Sequence, residues 1–162
     1  MTPEQIQLRK ILDYDPDTGQ LIWKVTRGSR ARIGTIAGTN VGSANDGRKQ
    51  MGLNGKRRMN SSVVWFWHHG VWPPSLDHRD GDASNNRIKN LRISNQQQNS
   101  LNRIAWRSRD LPKGVYRSGS RFKAVYKEKH LGSYNTPEEA SAAHRGASLY
   151  EDGEFSVYER NE

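Results

Sequence analysis

The chain has 162 residues, of which 33% are hydrophobic and 27% charged, with a mean hydropathy of −0.98. That length admits one ordinary domain or two or three small ones and excludes a large barrel enzyme, and no apolar run is long enough to span a bilayer. The lack of cysteine excludes disulfides and thiolate zinc sites, while a net charge of +9 points to a polyanionic partner.

The basic excess is segregated. Residues 1–26 carry a net −1, 27–60 carry +7, 61–76 are uncharged, 77–129 carry +8 and 130–162 carry −5. A solvated surface mixes its signs, so blocks of this size read as a nucleic-acid track. A membrane partner is disfavoured, because the basic stretches lack an amphipathic helical period with a bulky apolar face.

Along the chain, Thr2-Pro3-Glu4-Gln5 predicts a helix start with Thr2 as cap and Gln5 closing a capping box. Leu8, Ile11 and Leu12 share one face of that helix. A turn at residues 15–19 leads to a strand at Leu21–Val25, and the glycine-rich, basic stretch 27–56 reads as short strands and loops. A helix is expected over Ser61–His69, capped by Ser61 or Ser62 and stopped by Gly70. Its Val63, Val64, Trp65, Phe66 and Trp67 mark the most buried element. Trp72-Pro73-Pro74 forces an extended backbone. A strand at Ser75–His78, a polar loop through Asn90, a strand at Leu91–Ser94 and a helix capped near Asn95 follow. Trp106–Lys113 reads as a linker. Gly114–Arg117, Arg121–Lys127 and Lys129–Tyr134 alternate like a three-stranded antiparallel sheet, and Thr136-Pro137-Glu138-Glu139 opens a last helix that runs to about Tyr150, with Gly153 stopping it.

The chemistry concentrates between Asp77 and Asn99. Asp77, at a strand end, and Asn99, on the helix after, can supply carboxylate and amide oxygens to a hard divalent cation. His78 projects to the other side of an ideal strand, so it can serve as a neutral base beside that cation only if the strand ends or twists there. These are the parts that phosphodiester hydrolysis requires. Asp80 and Asp82 lack the closing glutamate of a calcium loop and read as turn residues, as do Asn85 and Asn86. His68 and His69 read as helix-end residues, and without cysteines a zinc role does not follow.

Asp77-His78, Asn90 twelve residues after the histidine and Asn99 nine further on resemble the HNH nuclease motif, a ββα-metal fold, in its phage and intron homing-endonuclease form. The resemblance implies that Asp77 and Asn99 hold one Mg²⁺ or Mn²⁺, that His78 activates the attacking water, and that Asn90 braces the loop and so orients His78. It further implies 5′-phosphate and 3′-hydroxyl products. Residues 11–74, with Tyr14-Asp15-Pro16-Asp17-Thr18-Gly19 and Val64-Trp65…Gly70-Val71-Trp72-Pro73, resemble the upstream part of phage HNH proteins. One departure is Ser61-Ser62 where that family has His-Arg, which removes a phosphate contact. Residues 112–155, with Gly114-Val115-Tyr116-Arg117…His130-Leu131-Gly132-Ser133-Tyr134…Thr136-Pro137, resemble the ethylene-response-factor (apetala-two) DNA-binding domain. That likeness places base-reading positions at Tyr116, Val125, Lys127 and His130. By strand parity Arg121, Lys123, Val125 and Lys127 share one face.

The expected fold is therefore α+β: an N-terminal helix and short-strand region (1–60), a ββα nuclease core (61–105), a linker (106–113) and a sheet-plus-helix DNA-binding domain (114–158). The expected activity is metal-dependent DNA hydrolysis, one strand per active site. Double-stranded DNA is the partner, and monomer and homodimer stay open. DNA contacts are expected from Arg27, Arg30, Arg32, Arg48, Lys49, Lys56, Arg57 and Arg58, from Arg79 and Arg87 beside the motif, and from Tyr116, Arg117, Arg121, Lys123, Lys127 and His130. The alternative is a non-catalytic DNA-binding regulator that keeps the nuclease fold as scaffold. An RNA-binding protein is disfavoured because no stacking platform or RNA-module motif is legible. Without a signal-peptide pattern, the expected compartment is the cytoplasm, that of a bacterial host if the gene is phage-borne.

Overall fold

A computed structural model describes residues 1–41, 46–101 and 110–159, with side chains at 99–101 outside what it describes. The chain divides into two compact units, Met1–Gln96 and Gln97–Glu162. Both mix helices with small antiparallel sheets, the α+β class the sequence led us to expect.

In the first unit, α1 (Pro3–Ile11) begins with the expected capping box between Thr2 and Gln5. The chain leaves it directly into β1 (Leu12–Tyr14), which pairs with β2 (Leu21–Trp23). β3 (Thr39–Asn40), β4 (Lys49–Leu53) and β5 (Lys56–Met59) form a second sheet. Asn54 and Gly55, both at positive φ (49° and 75°), make the two-residue turn between β4 and β5. α2 (Asn60–His69) follows without a break and ends at Gly70, whose left-handed φ of 72° lets its N–H reach the Phe66 carbonyl.

The start of α1 closes the end of α2. The Gln5 amide donates to the Trp67 and His68 carbonyls at 2.8 and 3.3 Å. Arg9 donates to the Trp67 carbonyl at 2.9 Å and lies 3.7 Å over the Trp67 ring. Carbonyls that a helix end leaves orphaned are thereby satisfied. The core joins Leu8, Leu12, Leu21, Trp23, Met51, Leu53, Val63, Val64, Phe66 and Leu91, each large side chain contributing about 1.5–3 kcal/mol by leaving water. Because Leu91 belongs to the hairpin that carries Asp77 and His78, the expected boundary at residue 60 is not a boundary in the fold. Residues 1–60 and the motif hairpin share one interior.

That hairpin is β6 (Leu76–His78) paired with β7 (Leu91–Ile93), followed by α3 (Gln96–Leu101). In the second unit, β8 (Val115–Ser118), β9 (Arg121–Tyr126) and β10 (Lys129–Tyr134) form an antiparallel sheet with β9 at the centre. α4 (Pro137–Asp152), opened by a capping box between Thr136 and Glu139, packs on it. The buried apolar centre is small, Val115, Ala124 and Ala140 with partial cover from Phe122, Leu131 and Tyr134. Polar groups fill the rest. His144 is buried, its Nδ1 2.9 Å from the Tyr158 hydroxyl and its ring edge-on to Tyr126. Gly114, at φ +74°, packs so closely on His144 that any Cβ would fall on the ring.

Of the expected linker 106–113, residues 106–109 lie outside the described residues. The second strand of the expected set ends one residue early, at Tyr126. Lys127 and Glu128 form the β9–β10 turn at φ 44° and 67°.

Candidate functional site

β6 ends at His78, the condition under which the two neighbours Asp77 and His78 can serve one site. Asp77 is buried and lies directly across the hairpin from Arg92, which is also buried. Arg92 Nε and Nη2 both donate to Asp77 Oδ2, at 2.9 and 2.7 Å. One carboxylate oxygen thus carries a guanidinium in a water-poor setting, where breaking the pair would leave an uncompensated charge. Nothing in the sequence marked Arg92, because the pairing depends on the register of β6 against β7.

The loop between the strands is held by side-chain bonds. Asn90 donates from Nδ2 to Asp80 Oδ1 at 2.9 Å and to the Asn85 carbonyl at 2.8 Å, and its Oδ1 accepts from the Asp80 N–H at 3.1 Å. Asp80 also accepts from the Asp82 N–H and from Asn85 Nδ2. Asp82 accepts from the Ser84 N–H and hydroxyl, bonds that hold its carboxyl below the ordinary carboxylate range. Both acids are therefore turn residues, occupied by the loop itself.

His78 touches Asn86, not Asn90: its Nε2 is 3.1 Å from Asn86 Oδ1. Asn86 is buried, while His78 is half-buried and can meet a ligand. Asn86 was missed as a histidine partner. The paired Asn85-Asn86 was the signal available, but which of the two turns inward depends on the path of the loop. The Asn99 amide and Asn102 lie outside the described side chains, so the expected acid-and-amide pair is seen from the Asp77 side only.

The N-terminal turn buttresses this loop. Arg87 donates from Nε to the Asp17 carbonyl at 2.6 Å and from Nη1 to Asn85 Oδ1 at 3.1 Å. The Ile88 N–H donates to the Tyr14 hydroxyl at 3.0 Å. Gly19, at φ +74°, lies so close to the Asn86–Arg87 backbone that a side chain there would overlap it. Arg87, for which a phosphate contact or a brace of the loop was expected, serves as a brace through two of its nitrogens. A cavity of about 240 Å³ opens beside the loop, walled by Thr18, Lys49, Asp82, Ser84, Asn86 and Arg87 among others.

The expected DNA-contacting cations sort by their partners. Arg48 is paired with Asp46 at 2.5 Å, which raises its pKa and lowers that of Asp46, so its charge is neutralised on the spot. Lys49 donates to Asn40 Oδ1 at 3.0 Å. Arg30 and Arg57 line one cavity of about 350 Å³, whereas Arg27, Lys56 and Arg58 line another. Arg32 and Arg79 are exposed.

In the second unit, Tyr116, Lys123 and Ser133 lie opposite one another across β8, β9 and β10, and Val125 lies opposite His130. With Arg121 on the same parity, these residues form the sheet face away from α4. Two expectations need correcting. Arg117 pairs in register with Phe122 and sits 5.4 Å over its ring, which puts it on the other face. Lys127 leaves the strand altogether. Its left-handed turn conformation directs the ammonium to Asp152 at 2.8 Å, with Glu151 at 3.6 Å, and this pairing raises its pKa.

Among the described residues no group of three or more histidine or acidic side chains converges on one point, and no helix is long and apolar enough to cross a membrane. Compared with known proteins, no curated protein and no solved structure matches the chain. Residues 60–101, about a quarter of the sequence, match a family model described as HNH endonuclease. That span begins at the first residue of α2 and takes in the β6–β7 hairpin, its asparagine-braced loop and α3. Over those residues the chain is similar to HNH endonucleases, and the similarity supports a nuclease.

Proposed function

We propose that the protein is a metal-dependent DNA endonuclease of the homing type, in which the second unit grips duplex DNA. The observation that carries this reading is the placement of His78 at the end of β6, next to Asp77 and held by Asn86 inside the matched span. With Nε2 donating to the Asn86 amide oxygen, the lone pair sits on Nδ1, and this nitrogen would take the proton from the attacking water. Asn86 would fix the ring's tautomer and plane, and Asn90 would act one step further out, by fixing the loop that carries Asn86.

The donor types fit a hard divalent cation, with Asp77 as the carboxylate and Asn99 as the amide. Bound there, Mg²⁺ or Mn²⁺ would stabilise charge on the phosphate and the departing 3′ oxygen. Arg92 would fix the Asp77 carboxylate in place. It also offsets that negative charge, so a DNA phosphate is the natural completing group for the site. The face of Tyr116, Arg121, Lys123, Val125 and His130 would lie on DNA, positioned by cationic contacts to phosphates.

A single site of this kind would cut one strand. The test is supercoiled plasmid with Mg²⁺ and with EDTA. Nicked circles should form only with metal, and the nick should be sealed by DNA ligase, as 5′-phosphate and 3′-hydroxyl ends require. The Asp77–Arg92 pair also favours a second reading, a non-catalytic regulator, since that carboxylate already has a strong partner. A regulator would leave the plasmid intact under both conditions.

A further inference from the structure

Cations of the first unit fall into two groups. Arg48 and Arg92 have carboxylate partners, whereas Arg27, Lys56 and Arg58 have none within 4 Å among the described residues. These three converge on one groove of about 850 Å³ between α1, the tip of the β4–β5 hairpin and Trp72. Leu8, Leu53 and Phe66 give it an apolar floor. Phe66 stacks on Trp72 with centroids 4.2 Å apart and planes 9° from parallel. Arg58 Cζ lies 4.4 Å from the same Trp72 ring. Phe66 and Arg58 thus both pack on Trp72, which gathers two stacked rings and a guanidinium at the groove. The amides of Gln7 and Asn54 and the carboxylate of Glu4 stand in the walls.

We propose that this groove captures an unpaired nucleotide of a DNA strand. Each part suits one part of that ligand. Trp72 and Arg58, both lining the groove, offer an aromatic ring and a guanidinium for a base to stack on, and the amides and the carboxylate can read a base edge. Arg27 and Lys56 supply charge for the phosphate. A base inside a duplex has both faces covered and cannot stack there, so the ligand is a nucleotide out of the stack. Glu4 argues against a purely acidic peptide, which it would repel. A stacking platform was not legible in the sequence because Phe66 and Trp72 meet across Gly70, at the end of α2. The inference takes from the proposed function that the partner is DNA, but it does not depend on His78.

The test uses the full-length protein in EDTA, so that no strand is cut, with two duplexes carrying 2-aminopurine either paired or as a one-base bulge. The bulged duplex should bind about tenfold tighter, with its fluorescence quenched on binding. Arg58→Ala should weaken bulge binding about tenfold more than it weakens paired binding. Trp72→Leu, with its thermal melt as a folding control, should also abolish the quenching. Equal wild-type affinity for the two duplexes would overturn the proposal, as would an equal loss for both on Arg58→Ala, which would reduce the groove to general phosphate neutralisation. Displacement of the bulged duplex by an aromatic, acidic peptide but not by a mononucleotide would assign the groove to a protein instead. Bulge preference without metal-dependent cleavage would refute the nuclease reading alone, and cleavage without bulge preference would refute the groove alone.

Discussion

The two units solve the problem of a thin apolar content differently. The first gathers twelve buried hydrophobic side chains from six of its elements and the loops between them and places its polar network at the rim, in the loop that carries His78. Among the described residues the second buries four, Val115, Ala124, Tyr126 and Ala140, and puts polar groups inside: His144 against Tyr158, and Ser148 against Ser156 at 2.8 Å. The first can therefore devote its hydrogen bonds to shaping a site, while the second needs its own to stay folded. Small units bury a smaller share of their surface, so in urea the second should unfold before the first.

The largest effect should come from Arg92→Met. It leaves Asp77 buried without its guanidinium partner and should cost the first unit about 3–5 kcal/mol, read as a fall in its urea midpoint with the second transition unmoved. Adding Asp77→Asn should return part of that loss, since the stranded charge is then gone. Gly114→Ala should strike the second unit. Overpacking on His144 and strain at φ +74° together should cost about 2–4 kcal/mol, read in the other transition. If both variants shift both transitions equally, the two units are not energetically separate.

Acid should act on the second unit in a milder way. Burial above all, reinforced by Lys113 and opposed by Asp152, pushes His144 below the ordinary imidazole value. As pH falls below about 6.5, the unfolded chain takes up the proton first. Stability is thus complete above that pH and is lost as pH drops toward the folded value. His144→Gln should flatten the dependence. In the first unit, His68 is lowered by burial, His69 and Arg9, so acid shifts its transition in the same direction.

What could be read from the sequence was whatever is encoded locally. The capping box at Thr2, the helix start at Thr136 and the glycine stop at Gly70 are each set by residues within four of one another, and each forms as expected. The start of α2 did not follow the same rule. Neither Ser61 nor Ser62 caps it, and its first residue, Asn60, sends its side chain 23 residues back to the Ala37 carbonyl at 2.9 Å. β1 was missed because three residues make a strand only when β2 is beside them. In the motif, the resemblance to HNH nucleases pointed to Asp77, His78 and Asn90. Arg92 and Asn86 became visible only with strand register and loop path, and Lys127 was misplaced because strand parity does not reveal where a turn reverses it. Local chemistry is written in the chain, and the partners of buried polar groups are written in the fold.

The central claim is that the His78 imidazole, held by Asn86, moves the proton in phosphodiester hydrolysis. Its most direct measurement is the single-turnover nicking rate in Mg²⁺ for wild type, His78→Ala and Asn86→Ala, with DNA binding measured alongside. His78→Ala should lose about 10²–10⁴-fold and Asn86→Ala less, with DNA affinity close to wild type in both. A His78→Ala enzyme that nicks as fast as wild type would contradict the claim.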